Sequence, residues 1–515
     1  MSEKNKYGQY FTIPLIADFM VSLIRHSKES RILEPSCGQG VFLRCLEDQG
    51  YSNLLAYEID HDLAKEFSYV RHQSFLSVST CHKFEVVIGN PPYIRWKNLE
   101  QELKEELQNN ALWKTYFNSL CDYLFIFILK SIEHLTDNGE LIFICTDYWM
   151  NSTHSATLRD YICKNGYFSE IYHFKEAPLF EGVTASFVIF RFVKSQKREK
   201  EITLYRYIKA RGLPLTHELL TLSCFQKEII PHFEIGKRWL LATQQQQNQI
   251  NSFEEACKKP IGSLFGSYMF RLGEFCDIGN GMVSGLDAAF QINNTSTLNS
   301  KEQEALISVI KAKDLRAYHF NNTTPYIFLK AKLEDRQFIS EYPHFAEHFK
   351  PYLSRLAGRY SYQRDIPYWE FVFPRNQKLF ERKEARIFVP CKERISNKRY
   401  FRFCYAPSGV FPTQDVTAIF RKPTCRESIE YLLAFLNNRR VFSWLELNGI
   451  VKGAIVEFSE APIASIPYRP INWGNDEEVS IHKSITEEVR MYLFDKEEKH
   501  IDSINNHFNQ LFKYD

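Results

Sequence analysis

The chain has no stretch that could span a bilayer: its longest near-continuous apolar run, Tyr123 to Leu129, is far short of the roughly twenty residues required. Its first residues, Met-Ser-Glu-Lys-Asn-Lys-Tyr, lack the apolar core of a signal peptide. Twelve cysteines occur, never as a Cys-x-x-Cys pair. That spacing offers neither a zinc site nor a disulfide framework, so no metal is expected and the cysteines fit a reducing cytosol. No internal repeat is visible. What is present, 44% hydrophobic and 24% charged residues over 515 positions, suffices for two or three packed domains. The net charge of +2 hides an asymmetry. Residues 1–190 hold 17 Lys and Arg against 24 Asp and Glu, and the remainder 47 against 38, so the balance moves from −7 to +9. The split fits a half that binds a small molecule and a half that meets a polyanion, although a solvated surface would look the same.

The first 190 residues alternate apolar runs with helical spacing. Arg31–Glu34, Leu54–Glu58, Phe84–Gly89, Leu141–Cys145 and Ala185–Phe192 read as strands; Leu15–Arg25, Val41–Gln49, His61–Tyr69 and Tyr123–Leu135 read as helices. This is the pattern of βαβ units around a mostly parallel sheet. A charged, apolar-poor stretch, Lys194–Lys200, places a domain boundary near 195. Beyond it the alternation is lost. Gln244–Gln247 reads as a polar loop, and residues 476–515 as an acidic helical segment packed on what precedes it.

Two segments carry chemistry. In Ile32-Leu-Glu34-Pro35-Ser36-Cys37-Gly38-Gln-Gly40 a strand enters a glycine turn and then a helix, so the backbone can approach a ligand. The third glycine of a dinucleotide fingerprint is missing, and Glu34 would repel a pyrophosphate. An acid there suits the amino group of a cationic sulfonium amino acid, and Glu58, ending the next strand, suits a ribose diol. The competing reading is two surface carboxylates that end strands by chance. The second segment runs from a strand into Asn90-Pro91-Pro92-Tyr93. Two prolines fix φ and remove two donors, leaving a stiff turn with exposed carbonyls. An aryl amine is a poor nucleophile because its lone pair is delocalised. The Asn90 side-chain oxygen and the Pro91 carbonyl, by accepting its two N–H bonds, would free that pair for attack on a methyl sulfonium, with Tyr93 offering a flat face for the ring. A rigid structural loop is the alternative.

With these motifs in order, the sequence resembles the γ-class amino-methyltransferases of bacterial restriction–modification systems, of the TaqI methyltransferase type. Tyr7-Gly-Gln-Tyr-Phe-Thr12-Ile-Pro14 looks like the N-terminal motif, followed by Leu33–Gly40, Tyr57-Glu-Ile-Asp60, Gly89–Tyr93, Cys121–Phe125 and Gly139–Phe143. The resemblance implies a Rossmann-like class I α/β methyltransferase domain (residues 1–195), a mixed α+β DNA target-recognition domain (196–475) and the helical segment. It implies S-adenosylmethionine as cofactor, held by Thr12, Glu34, Pro35, Ser36, Cys37, Gly38, Gly40, Glu58, Ile59, Ser74, Phe75 and Asn90. It also implies a catalytic turn Asn90, Pro91, Pro92, Tyr93, and Tyr93 with Phe180 on the two faces of an adenine extruded from duplex DNA. The expected reaction is transfer of a methyl group to adenine N6 without cleavage. The expected setting is the bacterial or archaeal cytoplasm, at the nucleoid, with a separately encoded restriction endonuclease as a candidate partner.

In the second half, Arg271–Phe290 reads as a glycine-punctuated strand and turn, and Tyr431–Asn438, Gly449–Gly453 and Ile463–Pro467 as a helix, a glycine loop and a closing strand. From Arg375 to Arg402 there are ten Lys and Arg against three Glu, interleaved with Phe380, Phe388, Tyr400 and Phe401. Arg375, Lys378, Arg382, Lys383, Lys398 and Arg399 are the candidate phosphate contacts, unless the stretch is a solvated strand pair. Three rival functions stand beside DNA-adenine methylation. They are methylation of a protein glutamine or RNA amine, cytosine-N4 methylation (where Ser usually replaces the Asn), and a non-catalytic DNA-specificity subunit.

The family usually carries Asp where this chain has Ser74 before Phe75-Leu76. A neutral, shorter group makes a weaker hydrogen bond to an adenine amine. Calorimetry of Ser74→Asp should therefore show tighter cofactor binding; unchanged affinity would remove Ser74 from the contact set.

Overall fold

Among the described residues of the first 247, the apolar runs become nine strands: β1 (Ile32–Glu34), β2 (Leu54–Glu58), β3 (Val70–His72), β4 (Phe84–Gly89), β5 (Leu135–Thr146), β6 (Gly166–Lys175), β7 (Phe187–Lys194), β8 (Glu201–Tyr207) and β9 (Phe225–Pro231). In this computed structural model residues 10–180, 185–197, 201–209, 216, 220–260, 267–330, 332–395, 399–452 and 454–512 are described. The strands form one sheet in the order β3-β2-β1-β4-β5-β7-β6-β8-β9. From β3 to β5 every pairing is parallel; β7 lies antiparallel between β5 and β6, and β9 is antiparallel to β8. This is an α/β, class I methyltransferase-like sheet, mostly parallel as expected.

Both faces of the sheet are covered, which is why its central strands read as unbroken apolar runs rather than alternating ones. Leu33, Val87, Leu141 and Phe143 point into one core, with α3 (Gln101–Asn109), α4 (Ala111–Tyr116) and α5 (Tyr123–His134). Ile32, Val86, Ile88, Ile142 and Ile144 point into the other, with α1 (Pro14–Ser22) and α2 (Val41–Asp48). Strand register thus decides which residues sit at the carboxyl ends of β1, β2 and β4.

Several expectations need correcting. His61–Tyr69 is a run of turns, not a helix: Ala64 adopts φ 51°, which a helix cannot contain, and Ala64 and Phe67 bury against Cys37. Gln244–Gln247 opens a helix, α6 (Gln244–Ala256), because Thr243 and Gln246 cap it reciprocally, Gln246 N to Thr243 Oγ1 at 3.3 Å and Thr243 N to Gln246 Oε1 at 2.8 Å. The chain divides into Met1–Gln247 with Lys452–Ala454, and Asn248–Val451 with Ile455–Asp515. The boundary expected near 195 therefore moves: β8 and β9 extend the same sheet, and Phe233 and Trp239 pack back onto Phe168.

The second unit centres on an antiparallel sheet of Cys276–Asn280, Val416–Arg421, Arg386–Pro390 and Cys404–Ala406. Ile387, Val389 and Ile419 face one core, shared with the helices Ile429–Leu436, Asp476–Asp495 and Glu498–Leu511; Phe388, Ala418 and Phe420 face another. The terminal segment is helical as expected. Ile463 lies in the short helix Glu460–Ala464, not in a strand; what pairs there is the single bridge Arg271–Pro467.

Arg386 sits inside this unit, fully buried. Its guanidinium donates to the carbonyls of Phe380 (2.8 Å), Val410 (3.3 Å), Arg382 (2.6 Å) and Glu384 (2.7 Å) and lies over Phe420. It is a structural cross-tie, not a surface cation. Arg386→Met should lower the unfolding free energy by about 2–4 kcal/mol, because the carbonyls it satisfies are left buried; a urea midpoint unchanged from wild type would contradict that role.

Candidate active site

Two adjoining chambers, partly open to solvent, lie at the carboxyl ends of β1, β2 and β4 and share Tyr10, Phe11, Ser36, Gly38 and Asn90. One is lined by Glu58, Ile59, Ser74, Phe75, Pro91 and Pro92, the other by Thr12, Glu34 and Cys37. Pro35 joins the first. The residues singled out from two distant motifs are thus brought to one cleft. Gly40 and Tyr93 are exceptions. Gly40 lies beside the Phe67 ring. It does not line either chamber; its φ of 73° and the Phe67 ring, which a Cβ would meet at 2.3 Å, account for the glycine.

The two acids are buried, at 2% exposure for Glu34 and 4% for Glu58. Glu58 accepts from the backbone N–H of Gly38 (2.7 Å) and of Asp60 (2.9 Å), so its position is fixed. Burial raises its pKa, and those two bonds oppose the rise. Glu34 is different: its Oε2 is buried with no partner. Burial, and secondarily the nearby Glu58 charge, push its pKa well above the usual carboxylate range. A carboxyl group so placed is a vacant acceptor for a cation.

Ser74 caps a short 3-10 turn, Phe75–Ser77, accepting from Leu76 N at 3.2 Å. Behind it stands a residue that the sequence reading missed. Lys130 of α5 is 3% exposed; its Nζ donates to Leu76 O at 2.6 Å and lies 5.3 Å from the Phe75 ring centroid. Burial lowers its pKa to about 8. A Lys directly after the apolar run Tyr123–Leu129 was the available signal, since buried lysines need a partner.

Asn90 follows β4. Its Nδ2 donates to Tyr10 O (2.8 Å) and to Thr12 Oγ1 (3.1 Å), and Ser36 Oγ donates to its backbone carbonyl at 3.3 Å. With the amide nitrogen engaged, the side-chain oxygen is the acceptor end, and it accepts from the Tyr93 hydroxyl, which also lies 2.7 Å from Ile144 O. Tyr93 does not line the chambers; its ring contacts Tyr10 at 6.2 Å, nearly parallel, and Phe187 at 6.4 Å. Phe180 is 6% exposed, packs on Phe187 at 4.8 Å and meets Tyr10 edge-on at 6.4 Å. Tyr10, missed in the sequence, bridges the two aromatics. The Tyr7–Gln9 part of the N-terminal motif lies outside the described residues.

Of the basic candidates in the second unit, Lys378, Lys383 and Arg399 are exposed. Arg375 is half-buried and donates to Gly281 O at 2.8 Å, and Arg382 is paired with Asp277 at 2.7 Å. Lys398 lies outside the described residues.

Residues 40–180 match the family model "Eco57I restriction-modification methylase". The chain is 43% identical to the type II methyltransferase M.HindII of Haemophilus influenzae strain Rd, over 99% of this chain and 98% of that one. The chain belongs to the type II methyltransferases of restriction–modification systems. This type II methyltransferase is also 40% identical to M.HincII of Haemophilus influenzae, over 99% and 98% of the two chains. Its fold is similar to that of the type IIL restriction–modification enzyme MmeI, solved in complex with DNA, with TM-score 0.58 and 11% identity over 98% of this chain and 72% of that one. Among the described residues no helix is long and apolar enough to cross a membrane.

S-adenosylmethionine is the cofactor expected of this family, and the unpartnered Glu34 carboxyl suits its ammonium group. The raised pKa gives a sign. Protonated Glu34 is favoured in the ligand-free fold, so its stabilising effect is lost as pH rises through that pKa, whereas an ammonium group binds the ionised form. Glu34→Gln should raise the melting temperature of the ligand-free methyltransferase at pH 7.5 and abolish most of the thermal shift given by S-adenosylmethionine. In the wild type, affinity should fall with decreasing pH while still above the ordinary carboxylate range. A pH-independent affinity, or a Gln variant that binds normally, would contradict this.

Proposed function

We propose that this methyltransferase transfers the methyl group of S-adenosylmethionine to N6 of an adenine extruded from duplex DNA. The observation that carries the reading is the orientation of the Asn90 amide. Tyr10 O and Thr12 Oγ1 engage its nitrogen, so its oxygen is the acceptor end, held here by the Tyr93 hydroxyl, and Asn90 and Pro91 both line the cleft. Bound there, S-adenosylmethionine supplies an electrophilic methyl on a cationic sulfur. Glu34 holds its amino group, Glu58 its ribose, and Ile59, Ser74 and Phe75 its adenine, with Pro35, Ser36, Cys37 and Gly38 as the floor and Lys130 keeping the Ser74–Ser77 turn in place. Asn90 Oδ1 and Pro91 O accept the two N–H bonds of the target amine and localise its lone pair; Pro92 keeps the turn stiff. Tyr93 and Phe180 flank the base, which exchanges with the Tyr10 ring that bridges them here.

Units 1–247 and 248–515 take the catalytic and target-recognition roles. Membership of a restriction–modification family favours DNA over RNA or a protein glutamine, and the complete Asn90–Tyr93 turn disfavours a non-catalytic subunit. A separately encoded restriction endonuclease is the natural companion.

The test is methyl transfer to adenine-containing duplex DNA with base-resolved detection of the product. Asn90→Ala should cut turnover by about 10²–10³-fold, the usual effect of deleting one preorganised polar group. Label in RNA, protein or cytosine, or a variant as active as wild type, would refute the reading.

A further inference from the structure

Outside the cleft, the second unit displays an unusual group of exposed rings. Tyr360 is 73% exposed, Tyr362 50% and Phe373 42%. They are contiguous: Tyr360 meets Tyr362 edge-on at 4.7 Å, and Tyr362 lies 6.0 Å from Phe373. The guanidinium of Arg364 is 5.9 Å from the Phe373 ring, and its Nη2 donates to Val372 O. Such a patch on water is unfavourable for a free protein and marks a surface that acquires a cover.

The tip is held in shape. Tyr362 and Gln363 are successive non-glycine residues with φ of 54° and 59°, an uncommon conformation for which side chains carry a penalty. Arg359 staples the base of the loop, donating to Ser284 O at 3.0 Å and Pro367 O at 2.8 Å. Phe373 exchanges two backbone hydrogen bonds with Val283, at 2.9 and 3.0 Å. Charge identifies the cover. Between 355 and 375 there are four arginines, no lysine, and two acids, Asp365 and Glu370. Flat rings interleaved with guanidinium groups match the chemistry of stacked bases between phosphates.

We propose that Tyr360, Tyr362 and Phe373 form an aromatic wedge that stacks on bases of duplex DNA, with Arg364 and Arg375 at its phosphate flanks. The proposal rests on the reading of the chain as a DNA methyltransferase, and it adds a contact that neither the basic stretch nor the catalytic turn supplies.

Full-length protein is titrated with its methylatable duplex carrying 2-aminopurine at successive positions. The double variant Tyr360→Ala with Tyr362→Asn, which keeps a residue that tolerates the left-handed backbone, should bind about 10- to 100-fold more weakly, as expected for lost base stacking. The slope of affinity against salt should stay unchanged, because no phosphate contact is removed, and 2-aminopurine brightening at the wedge step should vanish. Tyr360→Phe with Tyr362→Phe should restore both. Equal DNA affinity and fluorescence in wild type and double variant would overturn the proposal. So would a double variant that alters only self-association in sedimentation, which would assign the rings to a second copy of the chain. Wild type that binds S-adenosylmethionine but no DNA would instead refute the underlying reading.

Discussion

Everything the cleft can do depends on which way one amide points. A side-chain amide presents a donor at one end and an acceptor at the other, and rotation by half a turn would offer the wrong one. Tyr10 O and Thr12 Oγ1 settle the matter by engaging Nδ2. Those partners come from the chain ahead of α1, some eighty positions upstream of Asn90. The short stretch from Tyr10 to Thr12 therefore sets the orientation of the Asn90 amide. In that light Thr12 serves the turn at least as directly as it serves a bound cofactor.

The second constraint is electrostatic. Two carboxylates are buried at the ends of adjacent parallel strands, and only one is satisfied. Glu58 has its backbone donors; Glu34 has none for Oε2. A free fold that keeps an unmet acid in a low-dielectric pocket gives up stability there, and an arriving cation offsets that loss. Functional pockets commonly carry such a cost, and here it can be traced to a single oxygen.

Much of this was legible in the sequence. The glycine turn, Glu34, Glu58 and Asn90–Tyr93 are local patterns on strand ends, and β2 and β4 run between the residues that periodicity gave, Leu54–Glu58 and Phe84–Gly89. What escaped depends on distant partners. His61–Tyr69 has helical spacing, yet burial of Ala64 and Phe67 against Cys37 outweighs propensity. The sheet continues past the charged stretch at 194–200 because Phe233 and Trp239 find Phe168, which no local signal announces. Arg386 counts towards a basic surface on paper and is enclosed by carbonyls in the fold. Tyr10 and Lys130 act through backbone atoms of remote segments, and composition is blind to those.

One bond has a bearing on how the polypeptide matures. The Tyr93 hydroxyl is anchored on Ile144 O, and β4 is flanked on one side by β1 and on the other by β5. A nascent chain that has left the ribosome only as far as Tyr93 already carries all four residues of the Asn90–Tyr93 turn. It lacks the strand against which that turn is set. Translation must run some fifty codons further before Ile144 O is there to receive the Tyr93 hydroxyl, so truncated products would retain the motif without that anchor.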